Sequence, residues 1–383
     1  MGIVSSPDPV RPATDAAQAL GFVDPQTGAI VPPVHPATTY ERGADNQLLA
    51  GRLYSRADNP GYDLPEALLT RLEGGAASAV FSSGMSAATS VLMALRPGDH
   101  VLVPNVIYWA FRSWLVGWAT DWGLRVESVD MTDPARVAAA VQPGRTKLIW
   151  IETPANPTLV VTDIAAMAEV AHRAGALLAV DSTFATPVHT QPIALGADLV
   201  MHSATKYLNG HSDVIAGSLT TRAVDDHWQR IKAVRVQSGN VLGPFEAWLL
   251  LRGMRTLFVR VAAQSRSAAR IAGHFEKHPR VEEVLYPGLA AFRGHAVAAR
   301  QMRGGYGGMV SLRVKGGAPG ALAFSGKLRV WKRATSLGGV ESLVEHRASV
   351  EGPQSPTPPD LLRMSVGLED TEDLIQDIEQ ALR

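Results

Sequence analysis

The sequence contains no cysteine among its 383 residues. Without a thiol, the protein has no disulfide, no cysteine nucleophile and no cysteine-ligated zinc or iron–sulfur centre. An excess of charge of either sign is also missing, because Lys and Arg total 36 and Asp and Glu total 36. This balance argues against nucleic-acid binding, which usually requires a basic excess or a basic stripe.

Long apolar runs are absent as well. No stretch approaches the roughly 20 apolar residues that span a bilayer. The first 20 residues lack the basic start and apolar run of a signal peptide, so we expect a cytoplasmic protein. There is no Walker loop, no GxSxG elbow and no GxGxxG after the first strand. No acidic cluster has metal-ligand spacing, and we expect no metal site.

The chain is long enough for two domains or one large one. Residues 1–20 are rich in Pro, Ala, Asp and Ser and predict a mobile tail. Prolines and glycines interrupt residues 30–60, which predicts an irregular arm that embraces a partner subunit. We therefore expect a tail and inter-subunit arm over residues 1–60, a large domain over 61–245 and a smaller domain over 246–383.

Short apolar strands alternate with helices between residues 64 and 220. Such continuous apolar strands predict an α/β fold whose sheet is mostly parallel and covered on both faces. Strands are predicted at 79–81, 100–103, 124–129, 148–151, 177–180, 199–201 and 214–220, and helices at 64–72, 86–95, 110–122, 134–141 and 164–174. Ligands bind beyond the carboxyl ends of strands in such sheets.

The pattern changes after about residue 245 and predicts a smaller α/β domain. Its predicted helices are 245–254, 261–277 and 371–382, the last with Thr371 as N-cap. Its predicted strands are 281–285, 308–314, 336–338 and 362–365. The glycine-rich stretches 302–308 and 316–320 are predicted to be surface turns.

The most informative stretch is residues 203–211, SATKYLNGH, which follows an apolar strand. It surrounds Lys206 with small and hydroxyl side chains, although most lysines are solvated surface residues. Burial would lower the pKa of the Lys206 amine and make it nucleophilic. An aldehyde cofactor could form a Schiff base with Lys206, while Ser203 and Thr205 bind its phosphate.

Other candidate residues follow predicted strands. Asp181 ends one strand and could hold a pyridine nitrogen protonated, or simply cap a turn. The segment 82–86, SSGMS, opens a helix whose backbone N–H groups could bind phosphate. Tyr108 could stack on a flat ring or fill the core. Asn156 lies in a double-proline loop and could contact the ring hydroxyl or shape the turn.

Arg363 lies between apolar residues in a predicted strand, where an unpaired arginine would be costly to bury. A substrate carboxylate would be a suitable partner, and a structural ion pair is the alternative. Tyr54 and Arg56 lie in the irregular arm. If that arm crosses to another subunit, they could complete the phosphate site there.

Together these residues resemble the Cys/Met-metabolism family of pyridoxal-phosphate enzymes, which includes cystathionine γ-synthases, cystathionine lyases and methionine γ-lyases. The resemblance runs from about residue 30 to the C-terminus. It is carried by YSR at 54–56 with NP at 59–60, SGM at 83–85, ETPANP at 152–157, DSTF at 181–184, SATKYLNGHSD at 203–213, SLGGVESL at 336–343 and RMSVGLED at 363–370.

The resemblance implies pyridoxal 5′-phosphate as cofactor, the fold of type I enzymes with a seven-stranded-type sheet, and a homotetramer of two dimers. Lys206 would carry the cofactor, Asp181 would hold the ring nitrogen and Tyr108 would stack on the ring. The phosphate would be bound by Gly84, Met85, Ser203 and Thr205, joined by Tyr54 and Arg56 of the neighbouring subunit. Asn156, Ser336 and Arg363 would position the α-carboxylate of an amino-acid substrate.

Three positions differ from particular members of that family. Trp109 and Ala110 follow Tyr108, where methionine γ-lyases typically have Gly-Cys, and Thr335 stands where many cystathionine enzymes have glutamate. We expect γ-elimination or γ-replacement on a γ-substituted L-amino acid, such as cystathionine, methionine or canavanine. A β-lyase of cystathionine type is the alternative, and a non-catalytic α/β binding protein is a remote one.

Overall fold

A computed structural model describes residues 10–352 and 355–383. Its strands, in chain order, are β1 Ala77–Phe81, β2 His100–Pro104, β3 Arg125–Val129, β4 Thr146–Glu152, β5 Leu177–Asp181, β6 Leu199–His202, β7 Gly217–Thr221, β8 Val281–Leu285, β9 Met309–Val314, β10 Lys332–Arg333, β11 Leu343–His346 and β12 Leu361–Ser365. Most are short and buried, as the apolar runs predict.

The α-helices are α1 Pro12–Ala17, α2 Pro60–Glu73, α3 Gly84–Met93, α4 Trp109–Trp114, α5 Pro134–Ala140, α6 Ile164–Arg173, α7 Thr186–His189, α8 Asp226–Gln237, α9 Pro244–Met254, α10 Leu257–Phe275, α11 His295–Gln301, α12 Gly317–Lys327, α13 Arg347–Glu351 and α14 Thr371–Leu382. A π-helical turn, Leu115–Ala119, continues α4, and Pro192–Leu195 is a 3₁₀ turn. None of the helices in the described residues is long and apolar enough to cross a membrane.

The chain divides into two compact units, each made of two stretches. The first unit comprises Met1–Arg96 and Asp198–Phe258. In it, β7 lies between β1 and β6 and pairs with both in antiparallel fashion. Two buried hydroxyls inside this sheet satisfy each other, because Ser78 Oγ and Thr220 Oγ1 pair at 2.8 Å.

The second unit comprises Pro97–Ala197 and Val259–Arg383. Strands β5, β4, β2 and β3 lie side by side in that order and are all parallel. Helices α5 and α6 pack their apolar faces against them, with Val137, Met167 and Ala171 in the shared core. Because the strands are parallel, β4 and β5 bring their last residues, Glu152 and Asp181, to the same edge.

The second unit also contains a five-stranded sheet in the order β10-β11-β12-β9-β8. Its pairs are antiparallel except for β10 and β11. Helices α10, α12 and α14 cover it, with Phe275, Phe324 and Ile378 in the core. This sheet places Arg363 on β12 beside Glu345 on β11.

The predicted fold class is confirmed: a large, mostly parallel sheet of seven strands is accompanied by a smaller sheet near the C-terminus. The domain boundaries at residues 60 and 245 stay a prediction. Residues 30–60 are irregular, as expected, with only isolated bridges between Thr39 and Tyr54 and between Arg42 and Leu48.

Several local predictions are wrong. Residues 336–338 are not a strand, because Ser336 and Gly338 have φ angles of +107° and +74°. Residues 317–320 begin helix α12 instead of forming a turn, since Ala321 and Phe324 are buried in the core and tertiary packing outweighs the low helix propensity of glycine. The N-cap of α14 is Asp370, whose carboxylate accepts the Glu372 N–H at 2.8 Å.

The predicted mobile tail is also partly wrong. Residues 1–9 lie outside the described part of the chain, but Pro12–Ala17 form helix α1. The helix is held because Arg71 Nε donates to the Asp15 carboxylate at 2.8 Å, and Ala16 is buried. Arg255 Nε also donates to the Ala17 carbonyl at 3.0 Å, so the segment is held by long-range polar contacts that the local sequence pattern does not show.

Candidate active site

The Lys206 segment forms a tight turn after strand β6 in the first unit. The Lys206 N–H donates to the Ser203 carbonyl at 3.0 Å, and the Gly210 N–H donates to the Lys206 carbonyl at 2.7 Å. Thr205 Oγ1 both donates to the Ala216 carbonyl (3.1 Å) and accepts the Ala216 N–H (2.9 Å). These bonds fix the backbone on both sides of Lys206, whose side chain is half-buried.

The N-terminus of helix α3 packs against this turn. Ser83 caps the helix by accepting the Ser86 N–H at 3.0 Å, and the Ser86 hydroxyl accepts the Ser83 N–H at 2.9 Å. A Cβ atom on Gly84 would lie 2.8 Å from both Cβ and Oγ of Ser203. The first-turn N–H groups of Gly84 and Met85 and the hydroxyl of Ser203 are therefore close together, and this combination suits a phosphate group.

The contact between Gly84 and Ser203 leads to a prediction for Gly84→Ala. The added methyl group cannot fit unless the Ser203 turn moves, so we expect the free energy of unfolding to fall by about 1–3 kcal/mol. The affinity for pyridoxal phosphate should fall as well. Chemical denaturation and cofactor titration measure the two effects.

Gly273→Ala is the matched control, because Gly273 lies within helix α10 and an added Cβ there meets nothing within 4 Å. This variant should be neutral or more stable by up to about 1 kcal/mol. Equal effects of the two substitutions would contradict the close packing at Gly84.

Tyr54 and Arg56 lie in the arm of the first unit. The Arg56 guanidinium lies over the Tyr54 ring, 5.2 Å from its centroid, and the tyrosine is 42% exposed. The pair thus forms a cationic, aromatic and solvent-accessible surface. Its predicted role toward the phosphate of a neighbouring subunit stays a prediction.

In the second unit, one buried carboxylate organises two loops. Glu152 Oε1 accepts the Asn156 N–H at 2.7 Å, and its Oε2 accepts the Tyr108 N–H at 2.9 Å. Asp181 is its register partner on β5 and accepts both the N–H (3.0 Å) and the hydroxyl (2.5 Å) of Thr183. Tyr108, Asn156 and Asp181 are thereby brought to one edge of the parallel strands.

Burial, together with the neighbouring negative charge of Asp181, raises the pKa of Glu152 to about 8. The two backbone N–H groups oppose this shift but do not cancel it. Between pH 4.5 and about 8, the folded chain therefore binds a proton here that the unfolded chain does not. The contribution of this proton to stability is complete at low pH and is lost as the pH rises through that range.

The predicted carboxylate-binding residues form one cluster in the second unit. Arg363 Nη1 donates to Asn156 Oδ1 at 3.2 Å, and its Nη2 donates to the Ser336 carbonyl at 2.9 Å. Ser336 thus contributes its backbone oxygen to the cluster. Burial lowers the pKa of Arg363 to about 10, against the opposing effect of Glu345, so the guanidinium remains charged at neutral pH.

The Ser336 loop is held in place by side chains that the sequence did not single out. Ser365 Oγ accepts the Gly338 N–H at 2.8 Å, and Gln264 Nε2 donates to the Gly339 carbonyl at 2.7 Å. Glu369 accepts both the N–H and the hydroxyl of Ser342 at 2.7 Å. Residues in SLGGVESL and RMSVGLED therefore bind each other directly.

Tyr108 is the N-cap residue of α4, and its ring is partly exposed at 39%. It makes an edge contact with Trp109, with ring centroids 6.3 Å apart. Tyr108 is therefore partly accessible from solvent.

One histidine pair has a spacing that the sequence prediction of no metal site overlooked. His274 and His278 stand four residues apart, and their Nε2 atoms lie 2.8 and 3.6 Å from the carboxylate oxygens of Glu379. Within residues 10–352 and 355–383, no group of three or more His, Cys, Asp or Glu side chains could hold a metal ion.

The large, mostly parallel sheet and the smaller C-terminal sheet are those of the fold-type I enzymes that use pyridoxal phosphate. More particularly, the chain belongs to the Cys/Met metabolism PLP-dependent enzyme family, whose model matches residues 13–383.

The chain is similar to known enzymes over almost its whole length. It is 44% identical to the cystathionine γ-synthase of Mycobacterium bovis, across 97% of this chain and 96% of that one. It is 42% identical to the cystathionine γ-lyase of Bacillus subtilis, across 94% and 96%. A crystal structure of cystathionine γ-synthase from Xanthomonas oryzae pv. oryzae in complex with cystathionine matches with a TM-score of 0.93 and 38% identity, covering 98% of each chain.

These findings confirm the predicted cofactor, pyridoxal 5′-phosphate, and the predicted class of enzyme. The protein is a pyridoxal-phosphate-dependent enzyme of the transsulfuration type, with γ-elimination or γ-replacement as its chemistry. The β-lyase alternative is not favoured, and the non-catalytic alternative does not fit a chain so similar to enzymes throughout.

Proposed function

We propose that this enzyme acts on an L-amino acid with a sulfur or oxygen leaving group at its γ-carbon, cystathionine and O-acyl-homoserine being the favoured types. The observation that carries this proposal is the cluster of Arg363, Asn156 and Ser336. A buried guanidinium with a fixed orientation suits the α-carboxylate of an amino acid, because it can bind both carboxylate oxygens at once. The relatives named for cystathionine support the γ-substituent.

Each predicted residue has a defined part in this proposal. Lys206 Nζ holds the cofactor, and the carboxylate of Asp181 keeps a proton on the ring nitrogen. Gly84, Met85, Ser203 and Thr205 bind the phosphate, with Tyr54 and Arg56 of the partner subunit. Tyr108 stacks on the ring.

When bound, pyridoxal phosphate stabilises negative charge at carbons next to the amino group of the substrate. The protein then has to move protons. Once the amino group of the substrate has displaced Lys206 from the cofactor, the free Nζ would take the proton from Cα, give it up to the cofactor and then take a second proton from Cβ. Tyr108 or the protonated Lys206 would give a proton to the departing γ-substituent. Addition of water then yields a 2-oxoacid and ammonia, whereas addition of a thiol gives a γ-replacement product.

Thr335 bears on the choice of leaving group. Its hydroxyl donates to Glu345 Oε1 at 2.6 Å, so this position supplies no charge to a substrate. Lys332 and Arg333, three and two residues earlier, are exposed on β10. We infer that the substrate does not require a negatively charged side chain at position 335 to bind the group beyond its γ-carbon. O-acyl-homoserine and canavanine therefore stay among the substrates to test.

Product analysis with the purified enzyme tests the proposal. Cystathionine, methionine, O-acetyl-homoserine, O-succinyl-homoserine and canavanine are each supplied with and without cysteine. Without cysteine, we expect a four-carbon product, either 2-oxobutyrate or homoserine. With cysteine, we expect the homoserine esters to give cystathionine. Pyruvate as the product from cystathionine would establish β-elimination and overturn the proposal.

The assembly and location of the enzyme belong to the same proposal. A homotetramer of two dimers would let the exposed arm, which includes Tyr54, reach a neighbouring subunit. Light scattering gives the mass of the assembly. We also propose that the enzyme is cytoplasmic.

A further inference from the structure

A row of alternating buried charges leads away from Arg363 in the second unit. Arg363 pairs with Glu345, Glu345 pairs with Arg347, and Arg347 pairs with Glu351. Arg347 is 1% exposed and is among the largest fully buried side chains. Burial of this arginine calls for a functional or structural explanation, because the desolvation of its guanidinium is costly even when it is paired.

Glu345 is the shared member of this row. Its Oε2 lies 2.6 Å from Arg363 Nη2 and 2.7 Å from Arg347 Nη1, while its Oε1 accepts the hydroxyl of Thr335. Glu345 and Arg363 are register partners on β11 and β12, so their contact is built into the sheet. One carboxylate oxygen therefore serves two guanidinium groups.

The far end of the row is anchored in the same way. Arg347 donates through Nε (3.1 Å) and Nη2 (2.7 Å) to Glu351 Oε1, four residues along helix α13. The other Glu351 oxygen accepts the hydroxyls of Ser355 and Thr357. The Arg347 guanidinium is thus held by carboxylates on two sides and has a single orientation.

This arrangement affects how strongly Arg363 can attract an anion. A carboxylate held by Arg363 alone would neutralise it and compete with the carboxylate of a substrate. Since Glu345 is shared with Arg347, part of its charge is satisfied elsewhere, and Arg363 keeps attraction for an incoming anion. In a buried site such effects are larger than at the surface, because solvent screens them less.

We propose that Arg347 is a positioning residue, which holds Glu345 and thereby keeps Arg363 oriented and available for the α-carboxylate of the substrate. This inference rests on the proposed function, in which Arg363 binds that carboxylate. Arg347 itself does not touch the substrate. It acts through Glu345, so its removal should weaken carboxylate binding without removing the steps that involve Lys206.

The test uses the holoenzyme and an amino acid that cannot undergo γ-elimination or γ-replacement. L-Norvaline has no leaving group, and L-norvalinamide is the same molecule without the carboxylate charge. Binding of each is measured from the change in the visible absorbance of the bound cofactor. We expect Arg347→Met to bind L-norvaline about tenfold more weakly than the wild type, equal to 1.4 kcal/mol, and to bind L-norvalinamide unchanged. Arg347→Lys should recover most of the loss, since it restores the charge beside Glu345.

A second variant keeps the test decisive if Arg347→Met does not fold. In Glu351→Gln, Arg347 loses its ion pair with Glu351, so its positive charge interacts more strongly with Glu345. Binding of L-norvaline should then be equal to or tighter than in the wild type, whereas a merely structural network predicts weaker binding. Arg270→Met, which removes an exposed ion pair with Glu372, is the control that should change neither ligand.

The outcomes separate the two levels of the proposal. Unchanged L-norvaline binding in Arg347→Met, equal weakening of both ligands, or weaker binding in Glu351→Gln would each overturn the role of Arg347. If L-norvaline binds no better than L-norvalinamide to the wild type, or equally well after Arg363→Ala, the proposed role of Arg363 itself is overturned.

Discussion

Replacement of Lys206 by alanine is expected to abolish catalysis and the visible absorption of the lysine-bound cofactor together. In the proposed function two roles depend on the same Nζ atom, because it would hold the cofactor and would also move the protons at Cα and Cβ. Loss of a general acid–base alone lowers the rate by about 10²–10⁴-fold, and loss of the attachment adds to this. Turnover of the best substrate and an absorption spectrum of the purified variant measure the two effects.

The control for this variant is Lys277→Ala, which removes an exposed lysine and should leave both the spectrum and the activity unchanged. Lys206→Arg is also informative, because a guanidinium stays protonated and is no nucleophile at neutral pH. A Lys206→Ala protein that keeps the lysine-bound spectrum would mean that another amine carries the cofactor.

Replacement of Arg363 by alanine is expected to have the second-largest effect. The variant loses the proposed partner of the α-carboxylate and leaves Glu345 buried with Arg347 as its remaining charged neighbour. Removal of one partner from a buried charge pair costs about 2–5 kcal/mol. We therefore expect kcat/KM to fall by about 10²–10³-fold, with most of the change in KM. Arg363→Lys should lie in between, since it keeps the charge but loses the fork.

A neighbouring arginine provides the matched control. Arg313 lies on the adjacent strand β9 and forms ion pairs with Glu283 and Asp360 at 3.0 Å, where it is partly exposed. Arg313→Ala should affect stability slightly and leave kcat/KM unchanged. If both variants lose activity to the same extent, Arg363 acts through the stability of the sheet and not through the substrate.

The parts of the site that sequence reasoning predicts are those in which a single residue has an unusual chemical setting. Lys206 stands among hydroxyl and small residues, and Arg363 stands in an apolar strand where a charge needs a partner. Neither inference requires knowledge of the neighbouring strand. The same holds for most helices and strands of residues 60–254, which follow simple apolar patterns.

The functional residues that sequence reasoning missed are those whose contacts depend on how the strands are aligned and on residues distant in the chain. Glu345 meets Arg363 only because β11 and β12 align those two positions, and Glu152 meets Tyr108 through a backbone N–H that is 44 residues away in the chain. Helix α12 was missed for a related reason: its glycines argue against a helix, and the buried contacts of Ala321 and Phe324 decide otherwise. Local patterns contain no information on these pairings.

The division of each unit into two stretches of chain has a consequence for biosynthesis. The first unit needs residues up to 258, and residues 97–197 of the second unit leave the ribosome before it can be completed. The second unit in turn needs the C-terminal residues. The second unit therefore cannot finish folding while the ribosome still holds the chain, and no single cut separates the two units from each other. A protein built in this way either matures as a full-length chain or does not mature, so premature termination even late in translation should leave no active fragment.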